Sequence, residues 1–251
     1  MTSAADPPRL ISVGLPLAAL VVVVGMGAFG LVVALSGSVP SAWHLAVNVL
    51  SFENGLIEIA TVVVLIWALV VALIAARDAL SLSRPLVALW LALQAAGLVY
   101  FAGEEISWGQ WVLGWETPDW FAARNDQGET NLHNMSSWLD QKPRILVFLW
   151  ILGGGILVPL FERLRDPLLR HRLSFWLLPT GPSLFVSALA VLIRFPEDLA
   201  NLSGLAVDSP ARLALQPVNL TEVQEYLFAA FFLIYLSTLR RRLPDAPIGL
   251  L

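Results

Sequence analysis

Long apolar stretches separated by short polar segments make up most of the chain. Six of them are long enough to cross about 30 Å of hydrocarbon at about 1.5 Å per residue, with some tilt. The pattern predicts an all-α bundle of six transmembrane helices: Leu10 to Leu35, Leu56 to Ala76, Leu86 to Ala102, Ile145 to Phe161, Leu173 to Ile193 and Val223 to Leu239. Pro179, Gly181 and Pro182 predict a kink in the fifth span, because proline fixes φ and removes a backbone donor.

The composition agrees with this pattern. The chain has 251 residues, of which 57% are hydrophobic and only 14% are charged, and its mean hydropathy is +0.74. Soluble domains of this length are far less apolar. We therefore expect a single polytopic membrane domain over residues 1–251, in which helices determine the architecture. Small residues at Gly25 to Gly30 and at Gly153 to Gly155 predict surfaces for close helix packing.

Basic residues are distributed unevenly between the two sides of the predicted bundle. With a cytoplasmic N-terminus, ten of the fifteen Lys and Arg residues fall on the cytoplasmic side. These ten are Arg9, Arg77, Arg84, Arg163, Arg165, Arg170, Arg172, Arg240, Arg241 and Arg242. The positive-inside rule then favours both termini in the cytoplasm. The loop between the third and fourth spans is placed outside, where its tryptophans predict an interfacial position at the lipid headgroups.

The amino-acid composition gives information about the organism and about the kinds of site that the chain can form. Fourteen Arg against the single Lys142 is typical of a GC-rich bacterial genome, which favours the bacterial inner membrane. The absence of cysteine excludes disulfides, thiolate metal sites and cysteine nucleophiles. The sequence has no basic patch of the kind that binds nucleic acid. The lipid bilayer is therefore the expected partner. No phosphate-binding loop or nucleophile elbow is present either.

Carboxylates recur where the predicted spans reach the outer side. Glu58 opens the second span, Glu104 and Glu105 close the third, and Glu222 and Glu225 open the sixth. Three helices distant in sequence therefore bring acids to one depth. Ionised groups at membrane depth are costly unless they face water, a partner or a metal, which makes these acids functional candidates.

The outer loop adds an imidazole to this set. The string GETNLHN places Glu129 and His133 four residues apart, on one face if the segment is helical. Carboxylates and an imidazole gathered on helices suit zinc, iron or manganese. We predict Glu104, Glu105, His133 and Glu225 as ligands of a divalent metal ion.

Further roles follow from the same arrangement. Glu58 or Glu222 is the predicted general base. Gln110, Asn131 and Asn134 are the predicted substrate-binding residues. Two alternatives remain open for the acids. In the first, they are solvated at the interface, where an ionised group costs little free energy. In the second, at least one carboxylate binds a proton, which relieves their mutual repulsion without a metal cation.

Three strings carry a resemblance to known sequences. GEEISWGQ (Gly103 to Gln110), WETPDWFAARNDQGETNLHN (Trp115 to Asn134) and ENGLIEIATVVVLI (Glu53 to Ile66) resemble a family of uncharacterised bacterial multi-pass membrane proteins. The positions that match this pattern are Glu58, Glu104, Glu105, Gln110, Asn131, His133 and Asn134. The resemblance implies no activity. The ceramidase-like membrane hydrolases are excluded, because their late His-x-x-x-His pair has no counterpart after His171.

Three classes of function fit these observations. The first is a metal site on the exported face that hydrolyses or transfers a lipid-borne group. The second is proton-coupled or cation-coupled transport, in which buried acids on broken helices bind the coupling ion. The third is a structural subunit whose acidic outer face binds a protein partner.

Overall fold

The computed structural model describes residues 10–36, 55–125, 130–132, 135, 137–161, 177–204 and 219–245. Within these ranges every regular element is helical. The α-helices are α1 (Leu15–Ser36), α2 (Leu56–Ser81), α3 (Pro85–Glu105), α4 (Gln110–Leu113), α5 (Asp119–Ala122), α6 (Ser137–Trp150), α7 (Val158–Phe161), α8 (Leu184–Leu192), α9 (Phe195–Leu202) and α10 (Leu220–Arg242). A π-helical segment, Ile151–Leu157, joins α6 to α7, and 3-10 turns precede α4 (Ser107–Gly109) and α8 (Gly181–Ser183).

Four helices of the described chain are long and apolar enough to cross a membrane. They are Ile11–Gly30, Leu56–Ser81, Pro85–Glu105 and Lys142–Phe161. The prediction of a helical membrane protein is therefore confirmed at this level. The third helix extends to Glu105 where the sequence pattern predicted Ala102, so Glu104 and Glu105 belong to the last turn of α3.

The segment of the fifth predicted span is not one continuous helix in the described residues. The chain is non-helical at Pro179 and Thr180, and α8 then covers only nine residues from Leu184. Nine residues rise about 14 Å, less than half of the hydrocarbon thickness. The break lies where Pro179 and Pro182 predicted a kink. Residues 173–176 of this predicted span lie outside the described part of the chain.

The segment of the sixth predicted span forms the central helix of the bundle. Fifteen of the 23 residues of α10 are buried, among them Phe228, Phe231 and Tyr235. A helix enclosed by protein needs no continuous lipid-facing apolar surface. This explains why α10 can carry Glu222, Gln224 and Glu225 and is not among the four candidate spans.

Helix α2 packs against both α3 and α10 and buries a stripe of small residues. Ala68, Ala72, Ala75 and Ala79 recur every three or four positions and are fully buried. Small side chains allow two helix backbones to approach closely in a membrane. The opposite face of α2 exposes large apolar side chains, as a lipid-facing surface requires.

The two ends of the bundle differ in charge. Nε of Arg240 lies 2.8 Å from Oδ2 of Asp78, so the C-terminal ends of α2 and α10 are neighbours. We call this the basic end, formed by Arg77, Arg84, Arg240, Arg241 and Arg242. The opposite end, which we call the acidic end, holds Glu58, Glu105, Glu222 and Glu225. Helices α2 and α10 both begin at the acidic end, and α3 ends there.

Candidate metal site at the acidic end

Three carboxylates meet where α3 ends and α10 begins. Glu105 is the last residue of α3, and Glu222 and Glu225 lie in the first two turns of α10. One oxygen of each lies within 4.8 Å of the others, and all three residues are half-buried. Ligand oxygens about 2.0–2.6 Å from one divalent cation are separated by no more than about 5 Å. The donor set and its spacing therefore fit a bound cation.

The start of α10 fixes the orientation of Glu222. Asn219 is the N-cap residue, and its Oδ1 accepts a hydrogen bond from the backbone N–H of Glu222 at 3.4 Å. Its Nδ2 donates to Oε1 of Glu222, also at 3.4 Å. The N-cap thus contacts both the backbone and the side chain of a residue of the carboxylate group.

Two further charged residues act on this group. Glu225, Glu222 and Glu58 place negative charge near Glu105. Arg144 on α6 acts in the opposite sense. When all four carboxylates are ionised, the site carries more negative charge than the single guanidinium offsets.

Arg144 is held in place by α10. Its Nη1 lies 3.4 Å from Oε1 of Glu225, and its Nη2 donates a 3.0 Å hydrogen bond to Oε1 of Gln224. Gln224 is buried, and its Nε2 donates to the carbonyl oxygen of Ala190 on α8 at 2.9 Å. Gln224 therefore connects three helices and fixes the guanidinium beside the carboxylates.

Glu104 has different contacts from its neighbour Glu105. It is 5% exposed, its Oε1 accepts a hydrogen bond from Nε1 of Trp108 and its Oε2 accepts one from the backbone N–H of Leu132, both at 2.7 Å. Glu104 does not belong to the group formed by Glu105, Glu222 and Glu225. Its carboxylate instead attaches the loop that follows α3 to the end of that helix, through Trp108 and Leu132.

A sharp reversal of the chain after α3 makes these contacts possible. Ser107, Trp108 and Gly109 have φ values of 45°, 56° and 96°. Positive φ is unfavourable for residues with a Cβ, and such strain persists only where surrounding contacts enforce it. The indole of Trp108 folds back so closely that a Cβ on Gly103 would lie 2.9 Å from its ring. The glycine therefore leaves the space that Trp108 occupies.

Gln110 and Asn131 hold the loop together. Nε2 of Gln110 donates to Oγ1 of Thr117 at 2.7 Å, and its Oε1 accepts from the N–H of Thr130 at 2.6 Å. Oδ1 of Asn131 accepts from Nδ2 of Asn125 at 2.7 Å, and Asn125 and Asn131 are both buried. Both amides, predicted as substrate-binding groups, thus make hydrogen bonds within the loop.

The structure brings together part of the predicted ligand set. Glu105 and Glu225 lie in one group as predicted, and Glu222, predicted as a general base, joins them. Glu58 is close enough for its charge to act on Glu105. Glu104 is directed to the loop. His133 and Asn134 lie outside the described residues, so their roles stay predictions.

Sequence reasoning missed Arg144 and Gln224 as parts of the site. The available signal was a basic residue at the start of the predicted fourth span, at the end of the bundle where Glu222 and Glu225 are also predicted. Gln224 gave a weaker signal, because nothing in the sequence distinguishes a bridging glutamine from a solvated one.

Comparison with protein-family models, with curated proteins and with solved structures found no match to this chain.

Proposed function

We propose that this protein binds a divalent cation at Glu105, Glu222 and Glu225 on the exported face of the bacterial inner membrane, and acts there on a lipid-borne substrate. The observation that carries the proposal is the approach of these three carboxylates to within 4.8 Å of one another. They come from the end of α3 and the start of α10. This arrangement requires the two helix ends to meet.

The charge of the site supports a cation as the ligand. Glu58 adds a fourth negative charge, and Arg144 supplies one positive charge through its contact with Glu225. Half-buried carboxylates repel one another more strongly than solvated ones, because water screens them less. A divalent cation offsets the remaining negative charge. When bound, it would activate a water molecule or polarise a phosphoryl or carbonyl oxygen of the substrate.

The ligand atoms of the described residues are all oxygens, which limits the metal ions that the site would favour. Carboxylate oxygens suit manganese among the three predicted metals, and magnesium or calcium as well. Zinc or iron would favour a nitrogen ligand in addition. His133 is the residue predicted to supply it. Manganese is therefore the first metal to test, and the effect of His133→Ala on zinc or iron binding is the second.

The position of the site supports a lipid-borne substrate. The positive-inside rule places the basic end in the cytoplasm and the acidic end outside, with six spans and both termini cytoplasmic. The acidic end then lies at the level of the lipid headgroups. The adjoining loop exposes Trp108, Val112, Leu113, Trp115 and Trp120, which suit the interface. A reactive group on a lipid headgroup can reach the site from the bilayer without entering the bundle.

Metal content tests the proposal directly. Protein purified in detergent and reconstituted with Mn²⁺ should hold about one equivalent or more by elemental analysis. Glu105→Gln and Glu225→Gln should each lose most of it. Glu116→Gln is the matched control, because Glu116 is an exposed loop residue and should leave the metal content unchanged. Equal metal in all three variants, or none in the wild type, would rule out the site.

The substrate class requires a second assay. Metal-loaded protein is incubated with a total bacterial lipid extract, and the lipids are compared by mass spectrometry before and after. A product that forms with the wild type but not with Glu58→Gln or Glu222→Gln supports the reaction. No change in any lipid, with metal bound, would leave cation binding intact and reject the lipid reaction.

Cation-coupled transport is the second candidate, and the broken start of α8 favours it. Non-helical backbone at Pro179 and Thr180 lies within a span-like segment, and discontinuous helices are common in ion-coupled carriers. Proton or cation flux into liposomes that is lost in Glu58→Gln would support transport. Absence of flux with metal bound would favour the lipid reaction.

A further inference from the structure

A second set of polar groups lies at the break before α8, and it shares no residue with the carboxylate group. It is formed where the chain breaks before α8 and packs against the π-helical segment Ile151–Leu157. A Cβ on Gly154 would lie 3.2 Å from Pro179 and 3.6 Å from the indole of Trp150. The ring of Pro179 and the indole of Trp150 are therefore neighbours. One residue further on, a Cβ on Gly155 would collide with Ser187 of α8.

Three polar groups at this break are buried without a hydrogen-bond partner. They are Nε1 of Trp150, Oγ1 of Thr180 and Oγ of Ser183. Ser183 is fully buried, and Trp150 lies near the middle of the candidate span Lys142–Phe161. An unsatisfied polar group is costly in an environment without water, and native proteins keep few of them. Three in one neighbourhood indicate a ligand that completes their hydrogen bonds.

The indole N–H of the neighbouring Trp90 has a hydrogen-bond partner, whereas that of Trp150 has none. Trp90 and Trp150 pack edge to face at 5.6 Å, and both rings belong to one aromatic cluster with Tyr235. Nε1 of Trp90 donates to the Tyr235 hydroxyl at 2.7 Å, and that hydroxyl donates to the carbonyl oxygen of Leu177 at 2.6 Å. The cluster satisfies one indole N–H internally and leaves the other for an external acceptor.

The electrostatics of the break favour an anion. Thr180, Gly181 and Ser183 form the N-terminal turn that leads into α8, and helix N-termini attract negative charge. Nη2 of Arg242 donates to the carbonyl oxygen of Leu178 at 2.9 Å, and the charge of Arg242 acts on Tyr235. An indole N–H can only donate. A ligand with several negatively charged oxygens can accept a hydrogen bond from the indole N–H and from both hydroxyls at the same time.

Space is available on both sides of the break. A Cβ on Gly181 would meet no other group within 4 Å, and the same holds for Gly153 on the π-helical segment. Gly181 is exposed, so the helix start can be reached from outside the bundle. The chain just before the break contacts the basic end, because Arg242 donates to the carbonyl oxygen of Leu178, and arginine side chains attract anionic headgroups.

We propose that Trp150, Thr180 and Ser183 bind the phosphate group of an anionic ligand at the broken N-terminus of α8. The phosphate comes either from free solution or from a lipid headgroup, and both present the same oxygen acceptors. This site is separate from the carboxylate group and does not depend on the cation proposed there.

The test measures how phosphate changes thermal unfolding of the full-length protein. In detergent, inorganic phosphate should raise the unfolding midpoint of the wild type above that in sodium chloride of equal ionic strength. In vesicles, phosphatidic acid in phosphatidylcholine should do the same relative to phosphatidylcholine alone. An effect of inorganic phosphate identifies a free anion, and an effect of phosphatidic acid alone identifies a lipid headgroup. No effect of either probe overturns the proposal.

Variants of the proposed site then distinguish specific phosphate binding from a general effect of anions on stability. Ser183→Ala and Trp150→Phe should weaken the apparent phosphate affinity about tenfold or more, since each removes a donor to a charged group. Without phosphate both variants should be at least as stable as the wild type, because each loses an unsatisfied polar atom. Gly181→Val should also reduce binding by filling the open space beside the helix start.

Trp90→Phe is the matched control. It removes an indole N–H from the same aromatic cluster, but one that already has a partner. It should lower stability without phosphate and keep the phosphate response of the wild type. A phosphate response that is equal in Ser183→Ala, Trp150→Phe and Trp90→Phe would overturn the assignment.

Discussion

Nη1 of Arg144 lies 3.4 Å from Oε1 of Glu225, and this ion pair joins α6 to α10 beside the group of three carboxylates. The two side chains are 24% and 20% exposed, so the pair is neither solvated nor fully buried. The guanidinium stays positively charged and already neutralises part of the negative charge of the group, through Glu225. A cation at Glu105 and Glu222 would complete the neutralisation that Arg144 begins.

Removal of Arg144 should therefore destabilise the protein most when no metal is present. We expect Arg144→Gln to lower the free energy of unfolding by about 1–3 kcal/mol, because the carboxylates lose their counter-charge in a partly desolvated position. Added Mn²⁺ should restore part of the loss. Thermal unfolding in detergent with and without Mn²⁺ measures both effects.

The ion pair of Arg194 and Glu197 is the control for this prediction. Its side chains are 31% and 40% exposed, and its atoms are 3.6 Å apart. Arg194→Gln should cost less than about 1 kcal/mol, because this pair is longer and more exposed than that of Arg144 and Glu225, and it should not respond to Mn²⁺. A response of the two variants that is the same in size and in metal dependence would argue against a special role for Arg144.

Glu104 should control the attachment of the loop that follows α3 and not the binding of metal. Glu104→Ala leaves Nε1 of Trp108 and the N–H of Leu132 without their acceptor. We expect a loss of about 1–3 kcal/mol and faster limited proteolysis between residues 110 and 125. Metal content should change less than in Glu105→Gln. Glu116→Ala, in the same loop but exposed, should leave proteolysis unchanged.

The glycine triplet should tolerate a methyl group at one position and not at another. A Cβ on Gly155 would lie 2.9 Å from Phe231 and collide with Ser187, whereas one on Gly153 would meet nothing within 4 Å. Gly155→Ala should destabilise by about 1–3 kcal/mol through overpacking. Gly153→Ala should be neutral or stabilising by up to about 1 kcal/mol. The unfolding midpoints of the two variants give the comparison, and equal midpoints would contradict the packing.

The hydroxyl of Tyr235 should contribute to stability more than that of Tyr226. Tyr235 connects Trp90 to the carbonyl oxygen of Leu177 through two short hydrogen bonds, while the Tyr226 hydroxyl makes one 3.4 Å contact with the carbonyl oxygen of Leu15. Tyr235→Phe should cost about 1–3 kcal/mol because buried polar groups lose their partner. Tyr226→Phe should cost less than about 1 kcal/mol. Thermal unfolding of the two variants checks the order.

Much of the fold followed from the hydropathy pattern, and the exceptions have physical reasons. The four helices that are long and apolar enough to cross a membrane are apolar along their length, so the hydropathy pattern predicts them. Helix α10 is enclosed by protein, and enclosure permits polar residues such as Gln224 that weaken the pattern. The break at Pro179 was indicated by the prolines, but the way it packs against Gly154 depends on the neighbouring segment.

The site was predictable in part for a similar reason. Acids at the same end of α2, α3 and α10 have to lie at one depth, which led to Glu105 and Glu225. Adjacent residues at the end of a helix point in different directions, and no rule stated in advance which of Glu104 and Glu105 would face the bundle. The strained reversal at Ser107 and Trp108 decides it, because it carries the Trp108 indole onto Glu104.

The sequence by itself determined the helical membrane class, four of the six predicted apolar spans and the sorting of acidic and basic residues to opposite ends, because hydrocarbon imposes these along the chain. Only the tertiary structure decided which side chains meet. Two examples are the ion pair of Arg144 with Glu225 and the hydrogen bond from Gln224 to Ala190, which join segments distant in sequence. A third is the set of unsatisfied polar groups near Trp150, which also come from segments distant in sequence. Such contacts depend on the rotation and register of packed helices, which hydropathy does not encode.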